Sequence, residues 1–98
     1  MIWPKATDVL LAAQFLREKV RHTPIEKSLD LSDITGGSVY LKWENLQPCG
    51  SFKIRGALNK MFHMSEEERE RGVVTASSGN HAQGVAIAAR MLNVKAVI

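Results

Sequence analysis

Apolar residues recur at helical spacing in several stretches of the chain and alternate with polar ones between them. In residues 7–22, TDVLLAAQFLREKVRH, the positions Val9, Ala12, Ala13, Leu16 and Val20 follow a helical period, and Thr7 is placed to cap the first turn. Thr23-Pro24 forces extended backbone and ends that helix. Residues 28–44, SLDLSDITGGSVYLKWE, alternate on both sides of Gly36-Gly37 and predict two short strands joined by a turn. Val39, Leu41 and Trp43 would share one face, with Tyr40, Lys42 and Glu44 on the other. From Ser51 the helical period returns: Ile54, Ala57, Leu58, Met61 and Phe62 form one apolar stripe. Ser65 and Glu68 fit a capping box, Glu66 and Glu67 suit the positive end of the short helix that follows, and Gly72 supplies a stop.

Residues 73–76, VVTA, read as a buried type of strand. SSGNHAQGVAIAARMLN then reads as a loop entering a helix rich in Ala and Gly, and VKAVI as a closing strand. Strand, helix and strand at this spacing predict a parallel unit with a right-handed crossover. The fold class is therefore α/β, a parallel sheet layered with helices. Such a sheet needs further strands and cover on both faces, and this one stops in its last strand. The expectation is an incomplete domain, the N-terminal piece of a longer protein.

The 98 residues can bury roughly 60 to 70% of their unfolded surface, enough for one small core. Apolar residues make up 45% and charged residues 23%, which excludes a disordered or fibrous chain. The net charge of +3 comes from cations scattered from Lys5 to Lys95 among acids, so no basic face for nucleic acid is expected. One cysteine, Cys49, can form no internal disulfide and fits a reducing compartment. The N-terminus lacks a signal-peptide pattern and no apolar run approaches the ~18 residues of a membrane span, which makes the cytoplasm the expected location.

Candidate chemistry begins with PCGSFKIRGA, where Lys53 stands between Phe52 and Ile54 at the start of a helix. A lysine in water is almost wholly protonated at neutral pH. The positive end of a helix is worth only ~0.3 to 1 kcal/mol against that charge, so burial against Phe52 would have to supply most of the effect needed for a nucleophilic amine. Gly56 and Ala57, one turn on, would leave room for a flat ligand, and the arrangement suits a lysine that forms an imine with a carbonyl compound. The bare spacing on its own favours instead a lysine at the edge of an amphipathic helix with its stem on the core.

The second feature is SSGNHAQG. Ser77, Ser78 and Gly79 follow a strand, and Asn80 with Gln83 resembles a capping pair, so free amides would converge as an anion site. A plain helix cap is the alternative. Gly79 and Gly84 have P-loop spacing, but Val85 and Ala86 stand where Lys and Ser/Thr are required, which excludes a nucleoside triphosphatase. His22, His63 and His81 are not spaced as a metal cluster, so no metal is expected, and Cys49 reads as a small filler.

Taken together and in order, KWENLQPCGSFKIRGA and VVTASSGNHAQGVA resemble the N-terminal part of the fold type II pyridoxal-phosphate (PLP) enzymes, the tryptophan synthase beta-like fold, and within them the threonine/serine dehydratase and serine racemase group. The likeness runs from Thr23 to Ile98. It implies that Lys53 holds the cofactor in imine linkage and moves the α-proton, that Phe52 lies against the pyridine ring and that Asn80 contacts the ring's 3-oxygen. Ser77, Ser78, Gly79 and His81 match the loop that receives the substrate carboxylate. Ser78 stands where many dehydratases of the group have alanine and the racemase-like members have serine, which can pass a proton on the face opposite the lysine.

By this resemblance the activity is elimination of water from threonine or serine, giving a 2-oxo acid and ammonia. Residues 1–65 would begin the large cofactor domain and residues 72–98 the small substrate-loop domain. The family's glycine-rich phosphate loop and its partner for the pyridine nitrogen are not in these 98 residues, so the chain alone is expected to be nearly inactive and to bind PLP weakly. Exposed strand edges favour a homo-oligomer. A non-catalytic module that binds an anion at residues 77–81, or self-associates, is the alternative of a different class.

Overall fold

The computed structural model describes residues 2–98. Helix α1 spans Ala6–Leu16. Its N-cap is Lys5, whose backbone N–H donates to the Asp8 carboxylate at 2.7 Å, so Thr7 lies inside the helix and does not cap it. The expected apolar stripe is only partly used: Leu16 is buried, Phe15 and Val20 pack against the core, and Val9 and Ala13 are exposed.

The two strands predicted on either side of Gly36-Gly37 are half right. Residues Leu29–Thr35 form helix α2 rather than a strand. Ser28 caps it by accepting from the Leu31 N–H at 3.3 Å, and Gly36 closes it at φ +70°, a left-handed conformation that glycine adopts without strain. Those end signals outweighed the alternation between them. Strand β1 is instead Ile25–Lys27, antiparallel to β2, Tyr40–Lys42, with Ile25 opposite Lys42. On β2 the predicted faces hold: Leu41 is half buried and Tyr40 and Lys42 are exposed.

A 3-10 turn at Glu44–Leu46 leads into a loop and then α3, Lys53–Phe62. Its stripe of Ile54, Ala57, Leu58 and Met61 is buried as predicted, while Phe62 stays at the margin and stacks on Phe15 with ring centroids 3.7 Å apart. Helix α4, Glu66–Arg71, starts with the expected capping box: Ser65 Oγ accepts from the Glu68 N–H, and the Glu68 carboxylate accepts from the Ser65 N–H at 2.8 Å. That carboxylate lies below its ordinary range, chiefly because of the Ser65 backbone bond.

Strand β3, Val73–Val74, pairs in parallel with β4, Ala96–Val97, and the connection between them is α5, Asn80–Leu92. The parallel unit is as predicted, but β3 is not buried: Val74 is 82% exposed, because no element of these residues covers its outer side. One core joins the parts, with Leu16, Cys49, Ile54, Leu58 and Met61 packed on Val85, Ala88, Ala89 and Val94. No helix among the described residues is long and apolar enough to cross a membrane.

Candidate active site

The loop that delivers Lys53 is tied down at nearly every step. Glu44 receives the guanidinium fork of Arg55, Nε to Oε2 and Nη2 to Oε1, both at 2.8 Å. Thr23 Oγ1 donates to the same carboxylate at 2.6 Å, and the Gln47 amide approaches both of its oxygens at 3.4 Å. Gln47 also brackets the Arg21 backbone, accepting from its N–H at 3.0 Å and donating to its carbonyl at 2.7 Å. Thr23 and Gln47 are buried. The Arg55 hydrogen bonds hold the Glu44 carboxyl well down, to about 2; partial burial opposes them, and Thr23 and Gln47 add to them. Arg55 is correspondingly raised by Glu44.

Beyond Gln47 the chain turns through Gly50, at φ +73°, with the Gly50 N–H donating to the Gln47 carbonyl at 2.8 Å. Cys49 and Ser51 are buried beneath this turn. The Cys49 thiol donates to the Ser51 carbonyl at 3.2 Å, and Ser51 Oγ accepts from the Lys53 N–H at 3.4 Å, satisfying one of the first amides of α3. Cys49 is thus the packed filler its isolation predicts.

Lys53 opens α3 and is half buried. Its Nζ lies 5.2 Å from the centroid of the Phe52 ring and has no hydrogen-bond or ion-pair partner among the described residues. The apolar cover expected from Phe52 is absent: as N-cap of α3 it stays outside the core, 59% exposed. A side chain at Gly56 would meet nothing within 4 Å, so the predicted open space beside the lysine exists there. Ala57, by contrast, is filled in by the core.

Helix α5 meets α3 at Lys53 itself. A Cβ on Gly84 would stand 3.0 Å from the carbonyl carbon and from Cβ of Lys53, so glycine allows this approach without the neighbouring backbone having to give way. Asn80 lies four residues before Gly84, on the same face and about 6 Å along the axis. Gly79, not Asn80, is the N-cap, and no side chain caps this helix, so the expected Asn80–Gln83 capping pair does not form. The amides of its first turn have no partner within the helix. Ser77 is half buried and accepts from the Gly79 N–H at 3.4 Å, while Ser78, Gly79, Asn80 and His81 are exposed. His81 lines a cleft of about 360 Å³ with Gly56, Lys60, Glu68 and Thr75; Lys53 is not in its wall. Thr23, Glu44, Gln47 and Arg55 were not singled out by sequence reasoning. The one available signal was a pair of polar residues, Glu44 and Gln47, just ahead of a turn that buries its neighbours.

The site thus combines a helix crossing at a lysine with an uncapped helix start after a parallel strand. The sequence profile described as pyridoxal-phosphate dependent enzyme matches residues 16–98, and the chain belongs to that family. It is 57% identical over 91 residues to the L-threonine ammonia-lyase of Thermotoga maritima, covering 93% of this chain and 23% of that protein. Its fold superposes on serine racemase from Dictyostelium discoideum with a TM-score of 0.84 and 40% identity, over 92% of this chain and 30% of that one. Against the processed form of threonine deaminase isoform 2 from Solanum lycopersicum the TM-score is 0.72 and the identity 40%, over 95% of this chain and 27% of that one. The chain spans about a quarter of the length of the curated relatives it matches.

Proposed function

We propose that the chain provides the lysine and the carboxylate-binding loop of a PLP-dependent threonine/serine dehydratase, which removes the α-proton and β-hydroxyl of a hydroxy-amino acid and releases a 2-oxo acid and ammonia. The observation that carries this reading is the contact of Gly84 with the Lys53 backbone, which joins the helix that bears the Lys53 amine, partnerless among the described residues, to the helix that follows loop 77–81. The fit to the cofactor is supported by an Nζ free of protein partners, by the Phe52 ring beside it and by open space over Gly56. When bound, PLP supplies an electron sink for the α-carbon of an amino acid.

In this reading Lys53 would hold the cofactor, and its Nζ, when free, would take the α-proton of the substrate. Phe52 and Asn80 would be the residues that contact the cofactor ring. Ser77, Ser78, Gly79 and His81 bind the substrate carboxylate, assisted by the unsatisfied amides of the first turn of α5. That places charge recognition on α5 and proton transfer on α3. The division into a cofactor part, residues 1–65, and a substrate-loop part, residues 72–98, belongs to the same proposal, as do homo-oligomeric assembly and a cytoplasmic setting. Neither nucleic acid nor a membrane has a role in it.

Ser78 favours a second reading. It is exposed on the loop and engaged in no hydrogen bond among the described residues, which leaves its hydroxyl free to pass a proton and supports racemisation of serine as a side activity. The test is 2-oxo acid release from L-threonine and L-serine by the whole protein that carries this segment. We expect turnover that Lys53→Ala abolishes, and D-serine formation that Ser78→Ala lowers. Undiminished 2-oxo acid release by Lys53→Ala rejects the assignment.

A further inference from the structure

We infer that Glu44 and Arg55, braced by Thr23 and Gln47, are positioning residues: their ion pair fixes the first turn of α3 so that the Lys53 amine is held at the crossing with α5. This rests on the reading of Lys53 as the cofactor-holding lysine. Arg55 lies two residues beyond Lys53, and residues at that spacing face opposite sides of a helix. Glu44 therefore grips α3 from one side while Gly84 touches the Lys53 backbone on the other.

The grip is directional. A guanidinium fork with two bonds of 2.8 Å fixes the rotation of the helix as well as its position. A side-chain tip about 6 Å from a helix axis moves about 1 Å for every 10° of rotation, and a displacement of that size costs on the order of a hundredfold in a catalytic geometry. The carboxylate is itself immobilised. Thr23 and Gln47 occupy what Arg55 leaves of its acceptor capacity, and the Gln47 amide ties the assembly to the Arg21 backbone 26 positions earlier. Simple loop closure would need neither the fork nor two buried polar braces.

The test uses PLP and borohydride on the chain and its Arg55→Lys, Glu44→Gln and Thr23→Val variants. Mass spectrometry reads the ratio of label on Lys53 to label on Lys5 and Lys95 in the same sample, and thermal unfolding monitors the fold. Arg55→Lys keeps the charge and loses the fork, so the ratio should fall roughly tenfold or more while the variant remains folded. Glu44→Gln should act similarly and Thr23→Val more weakly in the same direction. An unchanged ratio in folded Arg55→Lys and Glu44→Gln overturns the inference, and so does a ratio that falls only in proportion to unfolding. Should both variants fail to fold, Thr23→Val decides: a lowered ratio supports positioning and an unchanged one rejects it. A wild-type chain with no preference for Lys53 removes the reading of that lysine, and this inference with it; a wild-type preference that the variants retain removes this inference alone.

Discussion

Two loops lead into two helices, and they are built in opposite ways. The loop before α3 is held by Glu44, Gln47, Ser51 and the Gly50 turn, with Thr23 and Arg21 recruited from far along the chain. The loop before α5 has a Thr75 N–H to Val97 carbonyl bond at 3.0 Å and a Gly79 N–H to Ser77 Oγ bond at 3.4 Å, and its tip is exposed. Placing a nucleophilic amine requires a stiff mount, because its reach is long and its chemistry is sensitive to ångström errors. A segment that must admit and release an anion keeps its donors unpaired and its backbone lightly tied. Under the proposed function, the contrast divides the work between holding and receiving.

The strongest way to break the stiff side is Arg55→Ala, which strands a partly buried carboxylate; we expect a loss of about 3 kcal/mol in unfolding free energy, read by urea denaturation. Gly84→Val attacks the junction of the two regions. Its Cβ meets backbone at 3.0 Å, so α5 must move off Lys53, and a loss of about 2 kcal/mol is expected.

Acid sharpens the comparison further. Glu44 is held at about 2 in the fold against 4.5 ordinarily, so it binds its proton less readily folded than unfolded. Its contribution is complete above 4.5 and disappears as the pH falls toward 2. With allowance for solvent contact this amounts to about 1.5 kcal/mol, and the slope should flatten in Glu44→Gln. At the small end, Gly79→Ala meets nothing within 4 Å on the lightly tied loop and should change stability by less than about 0.5 kcal/mol.

The parts legible in the sequence were those with local causes. The stripe of α3, the Ser65 capping box, the Gly72 stop and the parallel strands around α5 each follow from residues within a turn or two of one another. Helix α2 was misread because alternation over residues 28–35 imitates a strand, while the deciding signals, Ser28 and Gly36, sit at its ends. The candidate site was legible as two motifs but not as one place. Nothing in local spacing announces that Gly84 touches Lys53, or that Glu44 reaches across 11 positions to Arg55, because tertiary packing creates both contacts. The exposure of Phe52 was missed for a related reason: apolar neighbours in sequence do not imply a shared apolar environment.

The central claim is that one amine, mounted by the stiff loop and facing the open one, takes the cofactor. Titrating the chain with PLP and following the visible absorbance of the amine adduct tests it most directly, with Lys53→Ala as the partner sample. The account predicts a band in the wild-type chain, developed only at high PLP because the chain binds it weakly, and its loss in the variant. An undiminished band in Lys53→Ala would contradict it.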